Sequence, residues 1–187
     1  KRKLVHVSTV VYVVIYYFIS QIFSKNAALL VLVFILICLS FVEFMKIKFN
    51  LKIPFINSLY RESEKEKFSG SIYLILGMII AFAIFDFNIA LTAILMMLFG
   101  DTAAAIFGRI GKHKIAHLGV SWEGIISEFL VNVAIGLIFL SNIPVAFIMA
   151  FAATTVETLV DPIDDNLAIP VVAGFAGEAL MILMRHL

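Results

Sequence analysis

The sequence predicts an all-α membrane protein: a polytopic bundle of about seven transmembrane helices with its N-terminus in the cytoplasm. Three observations predict it. Hydrophobic residues make up 63% of the 187 positions and charged residues only 14%, against about 25% charged in ordinary globular chains; mean hydropathy is +1.08. Apolar runs of roughly 17–20 residues, the length that crosses a bilayer core, recur along the whole chain. The Lys and Arg residues collect in alternate connections, as orientation by positive charge requires.

The first span is read at 6–23, behind Lys1-Arg2-Lys3; it is too long for a signal peptide and has no small-residue cleavage site. The second, 27–45, carries the single cysteine, Cys38, which reads as a buried inert thiol. A polar connection follows at 46–68, with Pro54 and the run Arg61-Glu62-Ser63-Glu64-Lys65-Glu66-Lys67, read as a cytoplasmic loop lying on the membrane surface. The remaining spans are read at 69–87, 88–107, 123–140, 144–160 and 170–187, and the whole chain, 1–187, as one integral-membrane domain. No internal repeat is evident. No basic stripe with interleaved aromatics appears, so nucleic acid is not an expected partner.

Orientation follows from the cations. With the N-terminus inside, Lys1, Arg2 and Lys3, then Lys46, Lys48, Lys52, Arg61, Lys65 and Lys67, then Arg109, Lys112 and Lys114 are all cytoplasmic: twelve of fourteen, with only Lys25 and Arg185 outside. The same topology brings Asp101, Glu123, Glu128, Glu157, Asp161, Asp164 and Asp165 to the cytoplasmic face, where nucleotides are available. Glu178 is the exception, inside the last span.

Within that frame the decapeptide Asp161-Pro162-Ile163-Asp164-Asp165-Asn166-Leu167-Ala168-Ile169-Pro170 sets three carboxylates and an amide between two apolar segments. Ionisable groups beside hydrocarbon are costly and mark functional sites. Pro162 disfavours helix at Asp161, and Pro170 has no N–H to give an interior turn. The segment therefore reads as irregular backbone, tolerated at a membrane where it is buried in protein or lines a wet cavity. Its clustered oxygens suit a hard divalent cation, Mg²⁺ above all. The alternative is a solvated turn.

Gly100-Asp101-Thr102-Ala103-Ala104-Ala105-Ile106-Phe107-Gly108-Arg109-Ile110-Gly111-Lys112 is the second constellation. On a continuous helix Asp101, Ala105, Gly108 and Lys112 share one face, where small residues admit another backbone or a ligand. A carboxylate beside a Gly-rich turn with Arg109 and Lys112 is what a metal-bound polyphosphate needs; plain helix packing is the alternative. Ser121-Trp122-Glu123-Gly124 opens the fifth span, with Ser121 placed to cap it and Gly124 at the third helical position. Glu128, one turn further in, is a costly acid inside a span. Thr154, Glu157 and Asp161 share a face leading into the decapeptide. His113 and His117 lie in the basic loop, but no zinc-type His/Cys spacing, P-loop or Gly-x-Ser-x-Gly elbow occurs.

Taken in order, Arg2-Lys3-x-x-His6, Gly100-Asp101-x-Ala-Ala-x-x-Gly108-Arg109-x-x-Gly111, Ser121-Trp122-Glu123-Gly124, and Glu157 with Asp164-Asp165-Asn166-Leu-x-x-Pro170 resemble the CTP-dependent lipid kinases. That group includes dolichol (polyprenol) kinase, phytol kinase and CTP-dependent diacylglycerol kinase. The resemblance implies a membrane enzyme that moves the γ-phosphate of CTP to a lipid hydroxyl with a divalent metal, the acceptor being an isoprenoid alcohol or, alternatively, diacylglycerol. It assigns Asp164 and Asp165 to Mg²⁺, with Asp101 as a further ligand or the catalytic base. Glu157 joins Asp101 and Asp165 in the catalytic set. Lys3, His6, Arg109, Lys112, Ser121, Glu123 and Asn166 are assigned to nucleotide binding. One position departs from the pattern: Val120 stands where many relatives carry Lys before Ser-Trp-Glu-Gly, so either Lys112 or Lys114 substitutes, or the activity or donor choice differs in this chain. Two rivals use the same residues, a cytidylyltransferase making CDP-lipid and a cation-coupled transporter. The transporter expects acids near the midplane, which Glu178 alone supplies.

Overall fold

The computed structural model describes the backbone of residues 2–49, 69–115, 119–159 and 163–186, and the side chains of these from residue 9 onward. Asp161, His117 and most of the 46–68 loop lie outside the described residues, as do the side chains of Lys3 and His6. The described residues form seven helices: α1 (Arg2–Ile22), α2 (Lys25–Phe49), α3 (Gly70–Ile84), α4 (Phe87–Ile110), α5 (Trp122–Phe139), α6 (Ile143–Leu159) and α7 (Asp165–Arg185). Each expected span falls on one of them. Four of the helices, α2, α4, α5 and α7, are long and apolar enough to cross a membrane; Thr9–Ile22 of α1, α3 and α6 are shorter apolar helices. The chain is thus a helical membrane bundle.

Contacts gather into two compact units, Lys1–Ile79 and Ile80–Leu187. In the first, α1 packs on α2. Glu43 of α2 is 3% exposed, and its carboxylate accepts from the backbone N–H of Ser69 at 2.8 Å and from the Ser69 hydroxyl. A buried carboxylate persists only when so bonded, and these bonds fix the residue that precedes α3. Cys38 is exposed, not buried. It shares α2 with exposed Phe34, Ile37 and Phe41, because most of an apolar spanning helix can face lipid instead of protein.

In the second unit α4 packs against α5, α6 and α7, and α5–α6 and α6–α7 also pair. Small residues allow this. A Cβ on Gly124 of α5 would stand 3.2 Å from Gly108 Cα and 3.3 Å from the Ala104 carbonyl oxygen, so the α4 and α5 backbones are nearly in contact. The small-residue face of α4 therefore admits another helix: packing is the use it is put to.

The decapeptide is less irregular than its prolines suggest. α7 begins at Asp165, and Pro170 lies inside it, buried. Pro170 sits in the second turn, where its missing N–H deprives only the Asn166 carbonyl of a helical donor. Asp164 offsets the interruption by capping the helix: its carboxylate accepts from Asn166 N–H at 3.1 Å.

Glu178 belongs to the opposite end of this unit. Its Oε2 accepts from the N–H of Asp86 at 3.0 Å, the N-cap residue of α4, and Arg185 Nη2 stands 3.4 Å from Asp86 Oδ2. The end of α7 thus clasps the start of α4, about 22 Å along α4 from Asp101. Glu178 has a capping role here. Glu178→Ala is expected to destabilise the detergent-solubilised protein by about 1 kcal/mol, the usual value of a helix cap, and to leave activity at the Asp101 end unchanged. A thermal melt beside a turnover assay checks both.

Candidate active site

Three of the four helices of the second unit bring a carboxylate to one place. Asp101 lies in the C-terminal part of α4, Glu157 in the last turn of α6, and Asp165 is the first residue of α7. One oxygen from each lies within 4.8 Å of the other two, and all three residues are half-buried. Carboxylates this close repel: at about 4 Å and an effective dielectric of ~20, each charged pair costs ~4 kcal/mol. A divalent cation converts that repulsion into binding. Hard oxygen donors converging from separate helices fit Mg²⁺ in the way facing helices of bundles hold metals.

A buried polar layer adjoins the trio. Glu128 of α5 is 2% exposed, Asn132 0% and Thr154 6%. Asn132 Nδ2 donates to Thr154 Oγ1 at 3.2 Å. The Glu128 carboxyl has Asn132 and Thr154 as polar neighbours and Glu157 and Asp101 as charged ones. The sequence marked Glu128 and Thr154 but missed Asn132. Its spacing of four residues from Glu128, which places both on one helix face inside an apolar span, was the available signal.

The basic loop after α4 is built separately. Gly111 ends the helix, its N–H bonded to the Phe107 carbonyl. A Cβ there would lie 2.6 Å from both Glu123 Oε2 and Ser121 Oγ, so any larger residue has to push these side chains aside. Glu123 Oε1 accepts from Lys112 N–H at 3.0 Å and His113 N–H at 3.3 Å, and lies 2.7 Å from His113 Nδ1. Lys114 bridges to Ser121 in a short antiparallel contact, and its Nζ donates to the Gly108 carbonyl at 2.8 Å. Ser121 caps α5, accepting from Gly124 N–H at 3.1 Å as its position predicts.

The expected site residues therefore separate into three groups. Asp101, Glu157 and Asp165 converge. Glu123, Ser121 and Lys114 hold the loop, which leaves the exposed Arg109 and Lys112 at its surface. Asp164 and Asn166 pair with each other, Asn166 Nδ2 donating to Asp164 Oδ1 at 2.7 Å. Burial pushes the Asp164 carboxyl above the usual carboxylate range; the Asn166 amide opposes this and the neighbouring Asp165 charge adds to it.

No family model matches the chain, and no solved structure does. Curated proteins do. Over 143 residues, 71% of this chain, it is 30% identical to CTP-dependent diacylglycerol kinase 1 of Saccharomyces cerevisiae, covering 47% of that protein. Over 90 residues, 43% of the chain, it is 30% identical to the protein of the same name from Eremothecium gossypii, covering 28% of it. These relatives support the CTP-dependent lipid kinase family. An uncharacterized protein of Methanocaldococcus jannaschii is 34% identical over 128 residues, 66% of each chain. The matched stretch spans less than half the length of either fungal kinase.

Proposed function

We propose that this chain is a CTP-dependent lipid kinase whose catalytic centre is the Asp101–Glu157–Asp165 group. The convergence of three carboxylates from three helices at one end of an apolar four-helix unit carries the reading. The transfer breaks the bond between the γ-phosphorus and the β,γ-bridging oxygen of CTP and forms one to a lipid hydroxyl oxygen. CDP and lipid phosphate leave, and the hydroxyl proton passes to a carboxylate, for which Asp101 is our choice. Such transfer asks mainly for positioning and charge neutralisation. Glu157, Asp165 and the second oxygen of Asp101 would hold Mg²⁺, which when bound neutralises phosphate charge and draws electron density from the leaving oxygen. Arg109 and Lys112, on the loop that Glu123 secures, would hold the outer phosphates. Asp164 and Asn166 would keep Asp165 in place from the helix start.

The acceptor is a membrane lipid alcohol. Diacylglycerol is named in both fungal relatives, and an isoprenoid alcohol of the polyprenol or phytol type is the acceptor implied first by the sequence resemblance. Either presents a hydroxyl on an apolar body that reaches the carboxylates from the bilayer. Incubation of the purified protein with γ-labelled CTP and a panel of diacylglycerol, polyprenol and phytol should transfer label to at least one lipid with release of CDP. Release of pyrophosphate with formation of CDP-lipid would instead establish a cytidylyltransferase.

In this reading all seven helices cross the bilayer with the N-terminus, the 46–68 loop and the 111–121 loop on the cytoplasmic side. Cysteines introduced at Asn57 and His113 in a Cys38→Ser background should react with a membrane-impermeant thiol reagent from the cytoplasmic side alone. Labelling of either from the other side of sealed vesicles would refute the shared face.

A further inference from the structure

The carboxylate centre does not lie at the very end of its four-helix unit. α6 ends at Leu159, two residues after Glu157, and α7 begins at Asp165, so both stop at the level of the centre. α4 runs on for nine residues beyond Asp101, to Ile110, which is about 13–14 Å of helix. α5 accompanies it. Asn132 lies against Gly100, where a Cβ would stand 2.6 Å from its Oδ1. Ser127 Oγ donates to the Ala103 carbonyl at 3.4 Å, and Gly124 abuts Gly108. Trp122 is ten residues before Asn132 and so stands about 15 Å beyond the level of Gly100. Among the described residues of this unit, only the α4–α5 hairpin rises past the carboxylates.

The rising stretch is not made for water. Ile106, Phe107 and Ile110 of α4 and Trp122 and Ile126 of α5 are exposed on it. An apolar patch of this kind marks a membrane or partner surface. Two observations choose the membrane. The patch prolongs an apolar side that continues below it in exposed Phe99 and Leu130, on two helices long and apolar enough to span. It also ends as a membrane interface does, in a Trp with exposed Arg109 and Lys112 beside the last turn. Length agrees. From Asp86, the N-cap of α4, to Asp101 is fifteen residues, about 22 Å, against about 30 Å of hydrocarbon core. The core is crossed only if about 8 Å of the hairpin lies in it as well.

We propose that the α4–α5 hairpin is embedded in the bilayer up to Trp122, at the headgroup layer, and sets the Asp101–Glu157–Asp165 centre roughly 8 Å below the hydrocarbon boundary. The depth stands on the helices alone; its consequence for the acceptor rests on the kinase reading. Charged groups at that depth need a wet recess, and the acceptor hydroxyl has to sink beneath the headgroups to reach it. An uncharged lipid with a lone hydroxyl can do so, whereas phosphatidylglycerol would drag its phosphate charge toward hydrocarbon. The centre therefore takes lipid alcohols without a headgroup and refuses hydroxyls carried on charged headgroups.

Trp122 is the single tryptophan, so fluorescence quenching reads depth directly. The full chain is reconstituted in phosphatidylcholine vesicles brominated near the carbonyl end or near the methyl end of the acyl chains, with iodide on both sides as the aqueous quencher. Trp122 should be quenched more by the shallow bromines. Trp122→Phe/Phe99→Trp should reverse that order, and Trp122→Phe/Ile106→Trp should be quenched by shallow bromines and resist iodide. Trp122→Phe/Leu130→Trp repeats the deep reading from α5 if the Phe99→Trp protein does not fold. A Phe99→Trp or Leu130→Trp reading no deeper than that of Trp122 overturns the proposal, as does iodide access to the Ile106→Trp variant. Protection of that variant from both quenchers overturns it too, since protein would then cover the face. With γ-labelled CTP, label should pass to diacylglycerol or an isoprenoid alcohol and not to phosphatidylglycerol; comparable labelling of phosphatidylglycerol overturns the acceptor rule. No label on any lipid, with the quenching order as expected, would count against the kinase reading and leave the recessed centre standing.

Discussion

Asp165→Asn and Asp101→Asn are each expected to lower CTP turnover about 100-fold or more while leaving the protein folded. Each replacement removes one charge from a group whose ligand atoms lie within 4.8 Å of one another and changes the side-chain shape very little. Neutralisation of phosphate charge at a metal is worth several kcal/mol, and about 1.4 kcal/mol is tenfold in rate. Folding should survive because Asn keeps the shape of Asp, and at Asp165 like charges at this spacing repel in the absence of a cation, so removing one relieves the apo protein. Melting temperature should accordingly hold or rise without Mg²⁺ and lose its Mg²⁺-dependent increase. Asp164→Asn provides the contrast. Asn caps helices about as well as Asp, and Asp164 Oδ1 is already engaged by Asn166 at 2.7 Å, so its turnover should fall far less than that of Asp165→Asn. Equal losses in Asp164→Asn and Asp165→Asn would place the cation on the loop and remove Glu157 from the centre; near-normal turnover in both Asp165→Asn and Asp101→Asn would end the catalytic assignment.

Much of the fold was legible because apolar run length is itself the physical constraint. A helix must satisfy its own backbone in lipid, so every expected span became a helix. The Ser121 cap followed from local chemistry alone, and Asp101 lies on the expected helix; the face it was to share with Lys112 is not completed, because the helix ends at Ile110 with Gly111 after it. What the sequence could not display is which faces meet. The two adjacent aspartates, Asp164 and Asp165, look equivalent in one dimension, but the start of α7 falls between them: one becomes the cap and the other points with the first turn toward Asp101 and Glu157. Glu123 was grouped with the nucleotide-binding residues or read as orienting them; the loop N–H groups its carboxylate accepts from are brought near it only by the α4–α5 hairpin. Asn132 carried a signal in its spacing from Glu128, but its close approach to Gly100, 32 positions earlier, was not visible in one dimension. Glu178 was the one acid that suited the rival transporter, and its partner, the Asp86 N–H at the start of another helix, could not be read from the sequence.

Lys112→Ala and Arg109→Ala are each expected to raise the KM for CTP roughly tenfold or more and to change the KM for lipid little. The expectation comes from how the loop divides its cations. Lys114 is committed to the Gly108 carbonyl at the end of α4, and His113 to Glu123, whereas Arg109 and Lys112 are exposed at the same end of the helix. Charge-assisted contacts to phosphate contribute on the order of 1.5–3 kcal/mol, which is about tenfold to a hundredfold in affinity. Lys114→Ala should instead loosen the loop, lowering thermal stability with a smaller effect on KM. Val120 sharpens the comparison, since a Lys there would restore the pattern of the related kinases. Its carbonyl accepts from Ile115 N–H at 2.9 Å, a backbone bond that a side-chain change keeps. Val120→Lys should therefore fold, and in the Lys112→Ala background it should recover much of the lost CTP affinity. If Lys112→Ala binds CTP normally, Lys112 is not the substitute for the missing Lys. If Val120→Lys creates turnover where the parent has none, the chain is a diverged relative that has lost the phosphate grip and kept the carboxylates.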